Sequence, residues 1–148
     1  MYEHLLVPVD GSSLTDKAVE HSIGLAKMLG AKITGFTAEP PLPVLVVEQS
    51  AVAYDVSTLQ KHEQHCEAHA REILQAFADK ASQAGVTFEG QFVLTDNVQQ
   101  AIADMAAQHG CDLIVMASNG RHGLDALIHG SLTKSVPAHT KVPLLVLH

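Results

Sequence analysis

The 148-residue chain has no tryptophan, two tyrosines, four phenylalanines and two cysteines. Cys66 and Cys111 are too few and too far apart for a disulfide framework, and they form no metal-type pair. Scarce aromatics leave no row of platforms on which single-stranded bases could stack. Nine Lys plus Arg against sixteen Asp plus Glu, a net charge of −7, leave no basic stripe for a phosphate backbone. Nucleic acid is therefore not an expected partner. The amino terminus lacks the basic, apolar and small-residue succession of a signal peptide. The longest purely apolar runs, such as Val44 to Val47 and Leu144 to Leu147, fall far below the roughly 20 residues that cross a bilayer. The expectation is a reduced, cytoplasmic protein without a membrane partner. Also missing are a Gly-x-Ser-x-Gly elbow, a Gly-Lys-Ser/Thr phosphate loop and a Ser-Gly-Gly-x-Asp loop, so no catalytic residue is assigned.

What is present is an apolar chain, 47% hydrophobic, long enough for one core and read as one domain over residues 1–148. Residues 3 to 9 form a short apolar strand closed by Asp10-Gly11-Ser12-Ser13. Ala18, Val19, Ser22, Ile23, Ala26 and Leu29 then recur at helical spacing up to Gly30. Residues 32 to 38 make a second strand, and Glu39 to Ser57, broken by prolines, reads as irregular. Cys66, Ala70, Ile73, Leu74, Phe77, Ala81 and Ala84 trace one face of a long helix ending at Gly85. Residues 86 to 94 are a third strand, Val98 to His109 a helix closed by Gly110, and residues 112 to 116 a fourth strand. Ser131 should cap a last helix, kept short or kinked by Pro137, which removes a backbone donor and clashes with the preceding turn. Val142 to Leu147 complete a fifth strand.

Five strands alternating with four helices imply an α/β fold: an open parallel sheet with helices on both faces, because continuously apolar strands need cover on each side. Such sheets bind ligands beyond the carboxyl ends of their strands, where the winding reverses. In a 3-2-1-4-5 order the loops after the first and fourth strands face each other at that point. The loop after the fourth strand, Ala117-Ser118-Asn119-Gly120-Arg121-His122-Gly123, is glycine-rich and leads through Gly130-Ser131 to a helix start. Glycine allows close backbone approach, and a helix start offers unpaired N–H groups to an anion. Taken singly, Ser12 and Ser13 are simply helix N-caps, Asp10 an Asx turn and Gly123 loop punctuation.

Together, the opening Leu-Leu-Val-Pro-Val-Asp-Gly-Ser, the Gly120 loop and the closing Val-Pro-Leu-Leu-Val-Leu resemble the universal stress protein family over nearly the whole chain. Its nucleotide-binding members carry Gly-x₂-Gly-x₉-Gly-Ser/Thr, and here Gly120, nine residues and Gly130-Ser131 stand in register. Ala117 replaces the motif's first glycine, and Asn119 stands where many members have histidine. Alanine is harmless there if the backbone has ordinary strand-end angles, as a residue ending a strand usually does.

The resemblance implies a Rossmann-like fold of the adenine nucleotide alpha hydrolase type and a bound adenine nucleotide, ATP, ADP or AMP. It places Pro8, Val9 and Thr37 around the adenine, Asp10 on the ribose hydroxyls, and Met116 and Ala117 beside the sugar. The backbone N–H groups of Gly120, Gly130, Ser131 and Leu132, with the hydroxyls of Ser131 and Thr133, would meet the phosphates. Arg121 and His122 join them on charge grounds. The function implied is a stress sensor or regulatory module. The alternatives are a slow ATPase with Mg²⁺ on the phosphates, assisted by Asp10, His122 or Ser131, and a nucleotide-free dimeric scaffold.

Three further features complete the reading. His62, His65 and His69 lie within about 60° of one another on the long helix, yet no carboxylate completes a metal site and none is assigned. Cys66 and Cys111 read as small packing residues. The strand Val142 to Leu147, an apolar edge, is the expected homodimer contact, each copy pairing antiparallel with the other about a two-fold axis.

Overall fold

A computed structural model describes residues 1–117 and 132–148. The described elements are β1 (His4–Pro8), α1 (Ser13–Leu29), β2 (Lys32–Glu39), β3 (Leu45–Val47), β4 (Ser50–Val52), α2 (Val56–Gln83), β5 (Phe88–Leu94), α3 (Val98–His109), β6 (Leu113–Ala117), α4 (Leu132–His139) and β7 (Leu144–Leu147). Five of the strands form one sheet in the order β5-β2-β1-β6-β7, every pair parallel. This is the expected 3-2-1-4-5 winding. It reverses between β1 and β6.

Strand alternation divides the core into two layers. Leu5, Val7, Ile33, Leu113 and Val115 pack with Val19, Ile23 and Phe77 of α1 and α2. Leu6, Phe36, Ile114 and Met116 pack with Ile102, Met105 and Val136 of α3 and α4. β1 and β6 are thus covered on both faces, which is why, after His4, their sequences are apolar without interruption. Gly35 is required by space: a Cβ there would lie 2.6 Å from the Phe88 ring, which stacks obliquely on Phe77 with centroids 4.7 Å apart.

One expectation is corrected. The stretch Glu39 to Ser57 is not irregular throughout, because it contains the antiparallel hairpin β3–β4 and the start of α2. The hairpin begins after the last proline, Pro43, and turns on Glu48 and Gln49, both at positive φ (51° and 66°). Neither residue is the glycine or asparagine that marks such a turn in sequence. Asp55 caps α2 by accepting from the Thr58 N–H at 2.8 Å, eleven residues before the apolar stripe begins at Cys66. α4 has eight described residues with Pro137 at its sixth position, so the helix continues two residues past the proline. β7 starts at Leu144 rather than Val142, because Pro143 has no N–H for the ladder, although its carbonyl accepts from Ile114 N–H at 2.9 Å. Among the described residues no helix is long and apolar enough to cross a membrane.

Candidate nucleotide cleft

The carboxyl ends of β1, β2, β5 and β6 open into a cleft of about 370 Å³. Its floor is built by strand ends: Pro8 and Val9 from β1, Phe36 and Ala38 from β2, and Met116 and Ala117 from β6. Ser12, Leu14 and Thr15 at the start of α1 form one wall, and Val98 and Ile102 of α3 another. Pro40, Thr95 and Asp96 complete the rim. The described lining contains two aspartates and neither lysine, arginine nor histidine.

The β1–α1 turn explains how Asp10 is held. Val9 N–H continues the ladder to the Phe36 carbonyl at 2.8 Å, after which Gly11 at φ +80° reverses the chain into α1. A side chain at Gly11 would be strained by that φ and would press on Ile73 at 3.0 Å. Asp10 Oδ1 then accepts from the Ser12 N–H at 2.9 Å and lies 3.3 Å from Thr15 Oγ1. That is an Asx turn, yet it occupies one oxygen only. Oδ2 has no partner among the described residues and Asp10 is exposed at the cleft mouth, so turn formation and ligand binding are compatible roles.

Ser12 behaves differently from a simple N-cap. It occupies the capping position with φ −76° and ψ 159°, but its side chain makes no capping bond. Its Oγ is buried without a hydrogen-bond partner among the described residues, and Ser12 belongs to the cleft lining. A buried hydroxyl left unpaired is costly, and a ligand or water hydrogen bond removes that cost.

The expected site residues divide as follows. Pro8, Val9, Asp10, Met116 and Ala117 come together in the cleft. Ala117 closes β6, and the only non-glycine residues at positive φ among those described are Glu48 and Gln49, so alanine carries no backbone strain at the motif's first position. Thr37 is not in the lining: it shares a strand face with Ile33 and Gly35, is buried, and donates its hydroxyl to the Val9 carbonyl at 3.2 Å. Its neighbours Phe36 and Ala38 face the cleft instead, because successive strand residues point to opposite sides. The period-two rule applied to β2 would have found them. Thr95, Asp96, Val98 and Ile102 arrive from β5 and α3 through sheet order alone, and no local motif marks them. Gly120, Arg121, His122, Gly130 and Ser131 lie outside the described residues, whereas Leu132 and Thr133 open α4.

The helical histidines do not converge. His62 Nε2 lies 2.9 Å from the Pro40 carbonyl and 3.4 Å from Cys66 Sγ, while His69 Nδ1 pairs with Glu39. Among the described residues no group of three or more His, Cys, Asp or Glu is placed to hold a metal ion. Both cysteines are buried, and burial pushes the Cys66 thiol up and that of Cys111 up to about 11, which keeps them protonated.

The model of the universal stress protein family matches residues 1–148. A universal stress protein of Methanocaldococcus jannaschii is 26% identical over 146 residues, covering 99% of this chain and 82% of that protein. YxiE of Bacillus subtilis, another universal stress protein, is 24% identical over 147 residues, with 99% of each chain covered. Among solved structures, a universal stress protein in complex with cAMP superposes with a TM-score of 0.71 at 26% identity, covering 99% of this chain and 97% of that one. The universal stress protein of Archaeoglobus fulgidus in complex with dAMP gives 0.67 at 15% identity, covering 99% and 98%, and supports the fold alone.

Proposed function

Because the chain belongs to the universal stress protein family, we propose that it binds an adenine nucleotide, ATP, ADP or AMP, and works as a sensor or regulatory module. The observation that carries this reading is an apolar cleft at the winding reversal whose mouth holds a carboxylate with one oxygen free. The cAMP complex of a 26% identical relative supports the ligand class. The base lies on the apolar floor and the ribose hydroxyls donate to Asp10 Oδ2, with Met116 and Ala117 beside the sugar. The described lining carries no cation and so suits the neutral nucleoside. The phosphates fall to the N–H groups of Gly120, Gly130, Ser131 and Leu132, the hydroxyls of Ser131 and Thr133, and the charges of Arg121 and His122, with Mg²⁺ as companion ion.

Calorimetry with ATP, ADP and AMP, each with and without Mg²⁺, tests this. Gly120→Val and Gly130→Val should weaken ATP binding at least about tenfold, roughly 1.4 kcal/mol, because a branched side chain blocks the phosphate's approach. Unchanged affinity in both folded variants overturns the phosphate assignment. A single-turnover assay for ADP separates a slow ATPase from a sensor.

The partner proposal is a homodimer through β7, whose outer edge pairs with no strand among the described residues and whose Leu145 is 38% exposed. Two copies meeting antiparallel about a two-fold axis would satisfy the edge N–H and C=O groups. Val146→Lys should shift the protein toward monomer in light scattering. A monomeric parent protein at micromolar concentration rules the interface out.

A further inference from the structure

The cleft has a second polar end that the ribose and phosphate assignments leave unused. Beyond β5, Thr95 and Asp96 enter the lining two strands away from Asp10, a separation of roughly 10 Å at the usual strand spacing. Thr95 is already engaged: its N–H donates to the Glu39 carbonyl at 2.9 Å and its hydroxyl accepts from the Asn97 N–H at 3.0 Å. Asp96 is exposed at the rim, and its carboxylate meets no donor among the described residues. An ionised carboxylate only accepts hydrogen bonds, so a ligand group that faces it must bring an N–H or O–H. Between the two aspartates the surface is apolar, with Phe36 and Ala38 beneath and Val98 and Ile102 beside. That is a seat for a flat ring running from a sugar at β1 toward β5.

Resting on the adenine-nucleotide reading above, we infer that Asp96 reads the base: its carboxylate accepts the exocyclic amino group of adenine and makes the cleft selective for a 6-amino over a 6-oxo purine. The selection has an attractive and a repulsive half. An amino group donates to the carboxylate, whereas a 6-oxo group turns a lone pair toward it. Sites built around a particular donor discriminate strongly against analogues that lack it. The exposure of Asp96 moderates the effect, because water competes for the carboxylate.

The test compares ATP with inosine triphosphate, which keeps the sugar and triphosphate, replaces the 6-amino group by a 6-oxo group and carries a proton on N1. Calorimetry on the full chain should show ATP binding at least about tenfold more tightly to the parent protein. In Asp96→Leu the ratio should fall to within about twofold, through loss of ATP affinity and gain of inosine triphosphate affinity. Asp96→Asn, whose amide can donate to a 6-oxo group, should shift the ratio the same way. Asp96 is an exposed loop residue, so both variants should fold, and circular dichroism checks that they do. Equal binding of the two nucleotides by the parent protein, or a preference unchanged in both variants, overturns the role of Asp96 and leaves nucleotide binding standing. Failure of the parent protein to bind either nucleotide overturns the adenine-nucleotide reading and this proposal with it.

Discussion

β6 and β3 are built from the same kinds of residue and meet opposite fates. β6, Leu-Ile-Val-Met-Ala, is buried at every position, whereas β3, Leu-Val-Val, is exposed at every position, with Val46 64% accessible and Ile114 fully covered. Composition does not separate them, but their neighbours do. β6 lies between β1 and β7 with helices on both faces, while β3 pairs with β4 alone. A two-stranded hairpin has little intrinsic stability. The cleft hangs from β6 and its neighbours, and no residue of β3 or β4 lines it.

The largest test of this contrast is Ile114→Ala. Truncating a fully buried isoleucine in a packed layer should cost roughly 2 to 5 kcal/mol of stability, measured by urea unfolding. A cost below about 0.5 kcal/mol, the range of an ordinary surface change, would break the comparison at its buried end.

A smaller effect sharpens it with pH, because the sheet buries an ionisable group and the hairpin strands contain none. His4 on β1 is 6% exposed, with Nε2 2.7 Å from Thr34 Oγ1. Burial, with Lys32 and His109 nearby, pulls its pKa below the ordinary 6.5, against the opposing pull of Asp112 and Glu89. Below pH 6.5 the unfolded chain therefore binds the proton first. Stability is fully present above that value and declines as pH falls toward the folded-state pKa. His4→Gln cannot take up the proton, so its thermal midpoint should fall less between about pH 7 and pH 5.5. Equal slopes in parent and variant would show that His4 contributes nothing to this range.

The smallest expected effect is Val46→Ala in the hairpin, within about 0.5 kcal/mol of the parent by the same urea measurement. A loss comparable to that of Ile114→Ala would mean that the hairpin is covered in solution.

Legibility in the sequence followed how local each determinant was. α1 and the apolar part of α2 were visible because each buries a stripe at helical spacing, and β6 because five apolar residues stand between turn signals. The hairpin was hidden, since Glu48 and Gln49 adopt positive φ without the usual turn residues. Of the cleft, Pro8, Val9, Asp10, Met116 and Ala117 were found from the strand ends and the family resemblance. Thr37 was placed one residue out of phase with the face that lines the cleft, where Phe36 and Ala38 stand. Thr95, Asp96, Val98 and Ile102 were missed, because the first three are ordinary strand-end or helix-start residues and Ile102 an ordinary buried helix residue until the sheet brings β5 beside β2.

Local residue patterning specifies the alternation of strands and helices and, through the continuous apolarity of the inner strands, a parallel sheet covered on both sides. Those properties depend on periodicities of two and 3.6 residues, which any short window reveals. Tertiary structure alone decided which apolar strands are buried, which face of β2 lines the cleft, and that the only unpartnered rim carboxylate opposite Asp10 among the described residues is Asp96. The reason is distance along the chain: Asp10 and Asp96 are 86 residues apart in sequence and two strands apart in space. Only the order in which parallel strands dock can bring such residues to one cleft.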